Sequence, residues 1–373
     1  MKIAYIVLKG MPLGGGIEKY TEEIGSRLVG RGHKIIVYTM KHYGARDGDY
    51  RGMKIKTVPT LRNKSLEKIT ASFMATLSLC AGEQSDIVHF HAFGPAMFGA
   101  LPRLLGRRVV TQGHGLEWRR SKWGVGGKVF LKLAETPSIK FAHAVAVVSK
   151  VQQKYLAEKY GIKSIYIPTG VNPPQVESAE LIKKYGLTGN DYILFAARLV
   201  KEKGAHYLID AYKRVNPKQK LVIAGDAQHE ERYKSELRKM AGDDNKNIIF
   251  TGFVTGKLLH ELFSNCYIFV LPSEIEGLPI ALLEAMSYGN CCLVSDIPEN
   301  IEAMSGYGYT FHNQDVENLA SQLEYLINNY EAVNSLKERA KKHVLHNYSW
   351  DTIASDFEDL YLNLIKNSPN KIN

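Results

Sequence analysis

Residues 2–39 read KIAYIVLKGMPLGGGIEKYTEEIGSRLVGRGHKIIVYT. The first seven are an apolar run of strand length, and KGMPLGGG is a loop. From Ile17 the spacing turns helical, with Ile17, Tyr20, Ile24 and Leu28 on one face, and Gly32 falls where a helix stops. KIIVYT then reads as a second strand. The same strand–helix–strand grammar recurs around MKIKTV, DIVHF, RRVVTQ, HAVAVVS and SIYIPT. Near-continuous Val/Ile runs between helices predict a parallel sheet covered on both faces.

Beyond VNPPQ the pattern restarts. YILFAA, KLVIAG, NIIFTG, YIFVLP and CCLVS are short apolar runs, each followed by helical periodicity. Pro173 and Pro174 can continue neither element and mark a linker. The expected fold is α/β, with two Rossmann-like, doubly wound parallel-sheet domains facing a central cleft. Residues 1–170 form the first domain and 171–350 the second. The final stretch, WDTIASDFEDLYLNLI, has an apolar stripe of Trp350, Ile353, Phe357, Leu360 and Leu364, so the helix of residues 351–373 is expected to pack back on the first domain.

A chain of 373 residues suits two domains, and 45% hydrophobic with 23% charged residues excludes a disordered or collagen-like polypeptide. The weakly polar run from Ile69 to Gly82 is too short to cross a bilayer. The apolar core at the N-terminus is too short for a signal peptide. Cys80, Cys266, Cys291 and Cys292 lack CxxC spacing, which points to reduced thiols in the cytosol, with Cys291 and Cys292 as small core residues. Charge divides unevenly: residues 1–170 carry 27 basic and 11 acidic side chains, residues 171–373 carry 21 and 27. The first half therefore attracts anions, whether phosphate, nucleic acid or an anionic membrane face.

Three segments carry candidate chemistry. Gly14, Gly15 and Gly16 follow a strand and open a helix, where backbone N–H groups and the helix dipole can hold a phosphate; a tight turn explains them equally well. The spacing is not G-x-G-x-x-G, and no acidic residue ends the second strand, against a dinucleotide oxidoreductase. FAARLVKEKG places Arg198 and Lys203 just past the first strand of the second domain, where parallel sheets bind ligands. A solvated basic loop is the plain alternative. PSEIEGLPIALLEAMSYG, residues 272–289, puts Glu276 in a loop, Pro279 in the first turn of a helix and Glu284 further along it, eight positions after Glu276. A carboxylate inside so apolar a helix needs a partner, such as a pair of sugar hydroxyls.

In this order and spacing, FAARLVKEKG, FTGFV and EGLPIALLE resemble the retaining, nucleotide-sugar-dependent glycosyltransferases of family 4, which have the GT-B fold. VVTQGHGLEWRRSKWG and SDIPENIE further resemble a bacterial subgroup that includes rhamnosyltransferases of surface-polysaccharide assembly. The resemblance implies that Arg198 and Lys203 neutralise the donor pyrophosphate while Gly15 and Gly16 close over it. It implies that Glu284 binds the ribose, that Glu276 contacts the donor sugar with Gly277, Leu278 and Pro279 beside it, and that Phe253 lies where the base is held. His114 matches the histidine facing the donor sugar. Transfer would retain anomeric configuration by a front-side mechanism without an enzyme nucleophile, a metal or a cofactor. The donor would be a UDP-, GDP- or dTDP-linked sugar and the acceptor a saccharide or polyprenyl-linked saccharide.

Other features stay secondary. His89 and His91 read as core or strand-end residues, and Asp47-Gly48-Asp49 as a polar turn rather than a metal motif. WRRSKWGVGGKVFLKL, with Trp118, Arg119, Arg120, Lys122 and Trp123, reads either as an ordinary basic surface helix or as an acceptor and membrane-facing segment of a cytoplasmic enzyme, peripheral on the inner face of the membrane. A GT-B epimerase or phosphorylase is one competing function. A non-enzymatic nucleic-acid binder is another, although no aromatic-interleaved RNA motif supports it.

Overall fold

Each apolar run marked as strand lies in one of two sheets of the computed structural model, which describes residues 1–12, 15–44, 46–63, 66–82, 84–120, 123–226, 230–242 and 245–367. Contacts divide the chain into two units, one of Met1–Gly170 together with the chain from Trp350 onward, the other of Val171–Ser349.

In the first unit the strands are β1 (Lys2–Leu8), β2 (Lys34–Met40), β3 (Gly48–Tyr50), β4 (Met53–Val58), β5 (Ile87–His91), β6 (Arg108–Gly113), β7 (Ala144–Val147) and β8 (Ile165–Tyr166). Their order is β3-β4-β2-β1-β5-β6-β7-β8. Every neighbouring pair is parallel except β3 with β4. The helices are α1 (Gly16–Gly30), α2 (Glu67–Gly82), α3 (Phe93–Ala96), α4 (Ala100–Leu104), α5 (Val125–Lys140) and α6 (Lys150–Tyr160).

The strand alternation sorts the core. Ala4 and Ile6 of β1 join Val88 and Phe90 of β5 in a cluster with Ala71, Ala75 and Leu79 of α2. Tyr5, His89 and His91 take the opposite face, where the Tyr5 ring lies 5.5 Å from His89 and 5.1 Å from His91.

The second unit holds β9 (Tyr192–Ala196), β10 (Lys220–Ala224), β11 (Ile248–Gly252), β12 (Ile268–Leu271), β13 (Cys291–Ser295) and β14 (Tyr309–Phe311), all parallel in the order β11-β10-β9-β12-β13-β14. Its helices are α7 (Ala205–Val215), α8 (Glu231–Ala241), α9 (Lys257–Asn265), α10 (Ile280–Ser287), α11 (Pro298–Met304), α12 (Val316–Asn328), α13 (Tyr330–Ser335) and α14 (Lys337–Asn347). Ile193, Phe195, Leu208, Leu221, Ile223, Val270, Leu293 and Leu319 centre its apolar core. Cys291 and Cys292 are buried and unbridged in β13.

The last helix, α15 (Trp350–Lys366), belongs to the first unit. Trp350, Ile353, Ala354, Phe357 and Tyr361 are its buried residues. Tyr361 takes the core position that the sequence suggests for Leu360. Two ion pairs and a hydrogen bond tie the helix to the end of α1: Arg27 to Asp351 at 2.6 Å, Arg31 to Glu358 at 2.8 Å, and His33 Nε2 hydrogen-bonded to Glu358 Oε1 at 2.6 Å.

Two short strands escape the pattern reading. β3 is a polar, antiparallel edge of three residues, and β14 is equally short. β3 also explains Asp47, whose Oδ1 accepts from the backbone N–H and the hydroxyl of Thr57, each at 2.7 Å. These bonds hold the Asp47 carboxyl below the usual range.

Candidate active site

In the second unit the candidate residues gather at the C-terminal ends of β9 and β12. After β9 the chain makes a one-turn helix, Lys201–Lys203, that ends on Gly204 in the left-handed region at φ +71. A Cβ on Gly204 would lie 1.9 Å from the carbonyl oxygen of Pro272, so only glycine lets this turn press on the chain leaving β12. Glu274 N–H donates to the Glu202 carbonyl at 2.9 Å, and the Tyr207 hydroxyl donates to Glu274 Oε1 at 2.9 Å. Locked in this way, Lys203 Nζ donates to Glu276 Oε1 at 2.5 Å.

Both partners are largely withdrawn from water, the Glu276 side chain at 7% exposure and that of Lys203 at 16%. A carboxylate so placed needs its cation. Pro279 occupies the cap of α10, one residue ahead of the helical turn expected for it. Gly277 is partly buried, Leu278 and Pro279 are buried, and Glu284 sits half-buried on α10. Arg198 and Phe253 are exposed after β9 and β11. Near them a cavity of about 130 Å³ is lined by Leu199, Gly225, Asp226, Lys234, Arg238, Phe250 and Gly252. Arg238 lies over the Phe250 ring at 5.2 Å, and Lys234 pairs with Asp226 at 2.6 Å. These basic and aromatic groups on α8 and β11 were not singled out from sequence, because the short loops that bring them together carry no motif.

In the first unit the candidate residues lie at a helix start and in a histidine cluster. Gly15 caps α1 in extended backbone and Gly16 opens the helix; Gly14 lies outside the described residues. Glu18, in the third helical position, reaches back so that Oε1 accepts from Lys9 N–H at 3.2 Å. Glu18 stands at the capping-box position, but its bond runs across the loop to Lys9 and Gly15 has no side chain to return one, so this is not a capping box.

His91 Nδ1 shares a hydrogen bond with His114 Nε2 at 3.3 Å, and His91 Nε2 another with the Thr21 hydroxyl at 3.3 Å. The rings of His89 and His91 stack 4.5 Å apart, and Tyr20 sets its edge 4.8 Å from His114. Burial drives all three imidazoles toward the neutral form, reinforced for His114 by His91, Lys68 and Arg120. His91 is held down to about 3, by burial and then by Lys68. His89 and His91 are thus core residues, as their strand positions suggested, but His91 also touches the candidate histidine.

Of the basic segment from Trp118 to Leu133, the part from Val125 on is α-helical. A short turn, Glu117–Arg119, precedes α5, and Trp118 Nε1 donates to Glu135 Oε1 at 3.0 Å. Glu135, 2% exposed, also accepts from Tyr155, Tyr160 and Lys159 at 2.9, 2.7 and 2.9 Å. Four donors satisfy this buried carboxylate. Arg119 is exposed and Arg120 and Trp123 are partly buried; Lys122 lies outside the described residues. Among the described residues, no group of three or more His, Cys, Asp or Glu is placed to hold a metal ion.

Comparison with known proteins matches both halves. The family described as Glycosyltransferase Family 4 matches residues 14–175, and that described as Glycosyl transferases group 1 matches residues 177–343. An Escherichia coli relative, UDP-Gal:α-D-GlcNAc-diphosphoundecaprenol α-1,3-galactosyltransferase, is 25% identical over 98% of this chain and 98% of its own. Among solved structures, sucrose-phosphate synthase from Thermosynechococcus elongatus superposes with a TM-score of 0.84 at 19% identity, covering 98% of this chain and 99% of that one. Anabaena Alr3699/HepE, solved in complex with UDP and glucose, gives a TM-score of 0.81 at 19% identity over 97% of this chain and 100% of its own. The fold is therefore the two-domain GT-B arrangement of Rossmann-like sheets.

Proposed function

Because this chain belongs to the glycosyltransferases of group 1 and family 4, we propose that it moves a sugar, with retention, from a nucleoside diphosphate to a lipid-linked saccharide. The observation that carries this reading is the Lys203–Glu276 pair at the ends of β9 and β12. It puts a cation for a diphosphate and a carboxylate for sugar hydroxyls at one place on the sheet's ligand-binding edge. Arg198 adds a second cation to the leaving group. Glu284 takes the ribose hydroxyls, and Phe253 with the neighbouring cavity takes the base. The E. coli relative acts on a diphosphoundecaprenol-linked sugar and Alr3699/HepE binds UDP, which supports a UDP-sugar donor and a polyprenyl diphosphate acceptor.

In the reaction the bond from the anomeric carbon to the phosphate oxygen breaks as the acceptor oxygen bonds to that carbon on the same face. The acceptor proton passes to the departing phosphate, so no enzyme base is needed, and attack on the face that the phosphate leaves makes an enzyme nucleophile unnecessary. Arg198, Lys203 and the N–H groups at Gly15 and Gly16 stabilise the charge that develops on the nucleoside diphosphate. His114, neutral, hydrogen-bonds the donor sugar. Its Nδ1 is the nitrogen left for substrate when Nε2 is held by His91.

A melting panel with UDP-, GDP-, ADP- and dTDP-sugars identifies the donor by the largest stabilisation. Proton NMR of the product with a polyprenyl diphosphate sugar as acceptor then reads the new linkage. An α-donor should give an α-product. An inverted product would overturn retention, and donor turnover without glycosyl transfer would make the enzyme an epimerase or phosphorylase instead.

A further inference from the structure

The outer surface of α2, α4 and α5 carries large apolar side chains that packing leaves in water. On α5, Val125, Val129 and Leu133 are 82%, 52% and 68% exposed, and their four-residue spacing makes them one stripe. The buried residues of α5, Leu131, Ala134, Glu135 and Ser138, leave this stripe free to face outward. Leu104 and Leu105 at the end of α4 are 84% and 57% exposed, and Phe73, Met74 and Leu77 of α2 are exposed as well.

The three helices are neighbours. The Phe73 ring lies 5.4 Å from Phe98, in the turn before α4, and Arg103 of α4 donates to the carbonyls of Phe141 and Ala142 at the end of α5. Large apolar side chains left exposed on neighbouring helices point to an interaction site.

The charge around it selects the partner. Residues 100–140 contain nine Lys and Arg but only two acids, Glu117 and Glu135. Glu135 is buried among its four donors, and Glu117 lies 3.9 Å from Lys68. The outward charge is therefore positive, with Lys132 and Lys140 exposed beside the α5 stripe. A second copy would bring two such positive faces together. An anionic bilayer offers acyl chains to the stripe and phosphates to the lysines.

We propose that the α2–α4–α5 face docks the protein on an anionic lipid surface. Val125, Val129, Leu133, Leu104 and Leu105 enter the headgroup boundary, and the flanking lysines meet phosphate. Trp118 is not the anchor, since its indole is bound to Glu135 and covered by Lys132 at 4.3 Å. The protein lies on the membrane: among the described residues no helix is long and apolar enough to cross one. This deepens the lipid-linked reading of the function, but it concerns binding and does not depend on catalysis.

Co-sedimentation of the full chain with phosphatidylglycerol-containing or pure phosphatidylcholine vesicles tests it. Strong binding is expected only to the former, falling as salt rises. Val125→Ser/Val129→Ser/Leu133→Ser, which changes no charge, should lower that binding roughly tenfold or more. Leu104→Ser/Leu105→Ser, on another helix, should weaken it too, with melting curves confirming that both variants fold. Equal binding to both vesicles, or folded variants that bind like the parent, would overturn the proposal. So would sedimentation velocity showing that the stripe holds a dimer. Retained vesicle binding in a protein without transferase activity would leave the docking intact and defeat the catalytic reading alone.

Discussion

The Lys203 ammonium lies 2.5 Å from Oε1 of Glu276 and joins the turn after β9 to the loop after β12. In the proposed mechanism these two groups serve different ends of one donor, the diphosphate and the sugar. An arriving diphosphate must therefore draw Lys203 partly away from Glu276, which frees a carboxylate oxygen for a sugar hydroxyl. In that mechanism the pair couples phosphate binding to sugar recognition.

Glu276→Gln should separate these roles. Lys203 loses its competing anion, so titration calorimetry is expected to show nucleoside diphosphate binding as tight as in the parent or about threefold tighter. Turnover should fall about a hundredfold, because the sugar loses a charged hydrogen bond. Unchanged turnover would remove Glu276 from the site.

Arg198→Ala/Lys203→Ala should weaken UDP or GDP binding by about a hundredfold, two charge-assisted contacts having gone. Lys203→Ala alone also leaves Glu276 without its cation, and denaturant unfolding should show a loss of about 1–3 kcal/mol. Equal nucleotide affinity in the double variant would mean that the phosphate is held elsewhere.

In the same mechanism His91 positions His114, with which it shares a hydrogen bond. Replacing it by Gln breaks the imidazole pair and lets the His114 ring change tautomer. Nitrogen-15 NMR should then show a different His114 tautomer population, with kcat down about tenfold and the donor KM little changed. A purely structural role would lower stability while leaving the tautomer as it was.

The histidine cluster also sets an acid limit on stability. Unfolded, His91 titrates near 6.5, whereas in the fold it is held to about 3 by burial and by Lys68. Between these values the unfolded chain binds more protons, so stability falls as pH drops below 6.5. The slope is up to about 1.4 kcal/mol per pH unit for this residue. Burial lowers His89 and His114 in the same direction. Denaturant melts between pH 7 and 5 should show this loss, and a smaller one in His91→Gln.

The sheets were legible because long parallel strands, buried on both faces, leave runs such as Tyr192–Ala196 that no other structure explains. β3 and β14 were not, since three residues are too few to establish a period. At the candidate site, the motifs single out Lys203 and Glu276, whereas the bond from Lys9 to Glu18 runs across a loop and has no local signature. In the Trp118 segment, sequence alone does not tell which side chains face outward. Its composition suits a surface, yet Glu135 holds the indole with a hydrogen bond that composition cannot express.

Local chemistry thus determined the strands, the helices and the kinds of group available, because periodicity, glycine and charge act over a few neighbouring residues. Tertiary structure decided which groups meet. Lys203 reaches Glu276 only because Gly204 lets two chain segments 68 positions apart touch at Pro272. His114 finds His91 because β5 and β6 are adjacent in one sheet. The outward stripe of α5 exists only because Leu131, Ala134 and Ser138 were claimed by the core. Such pairings depend on distances through space, which the order of residues along the chain encodes only through the whole fold.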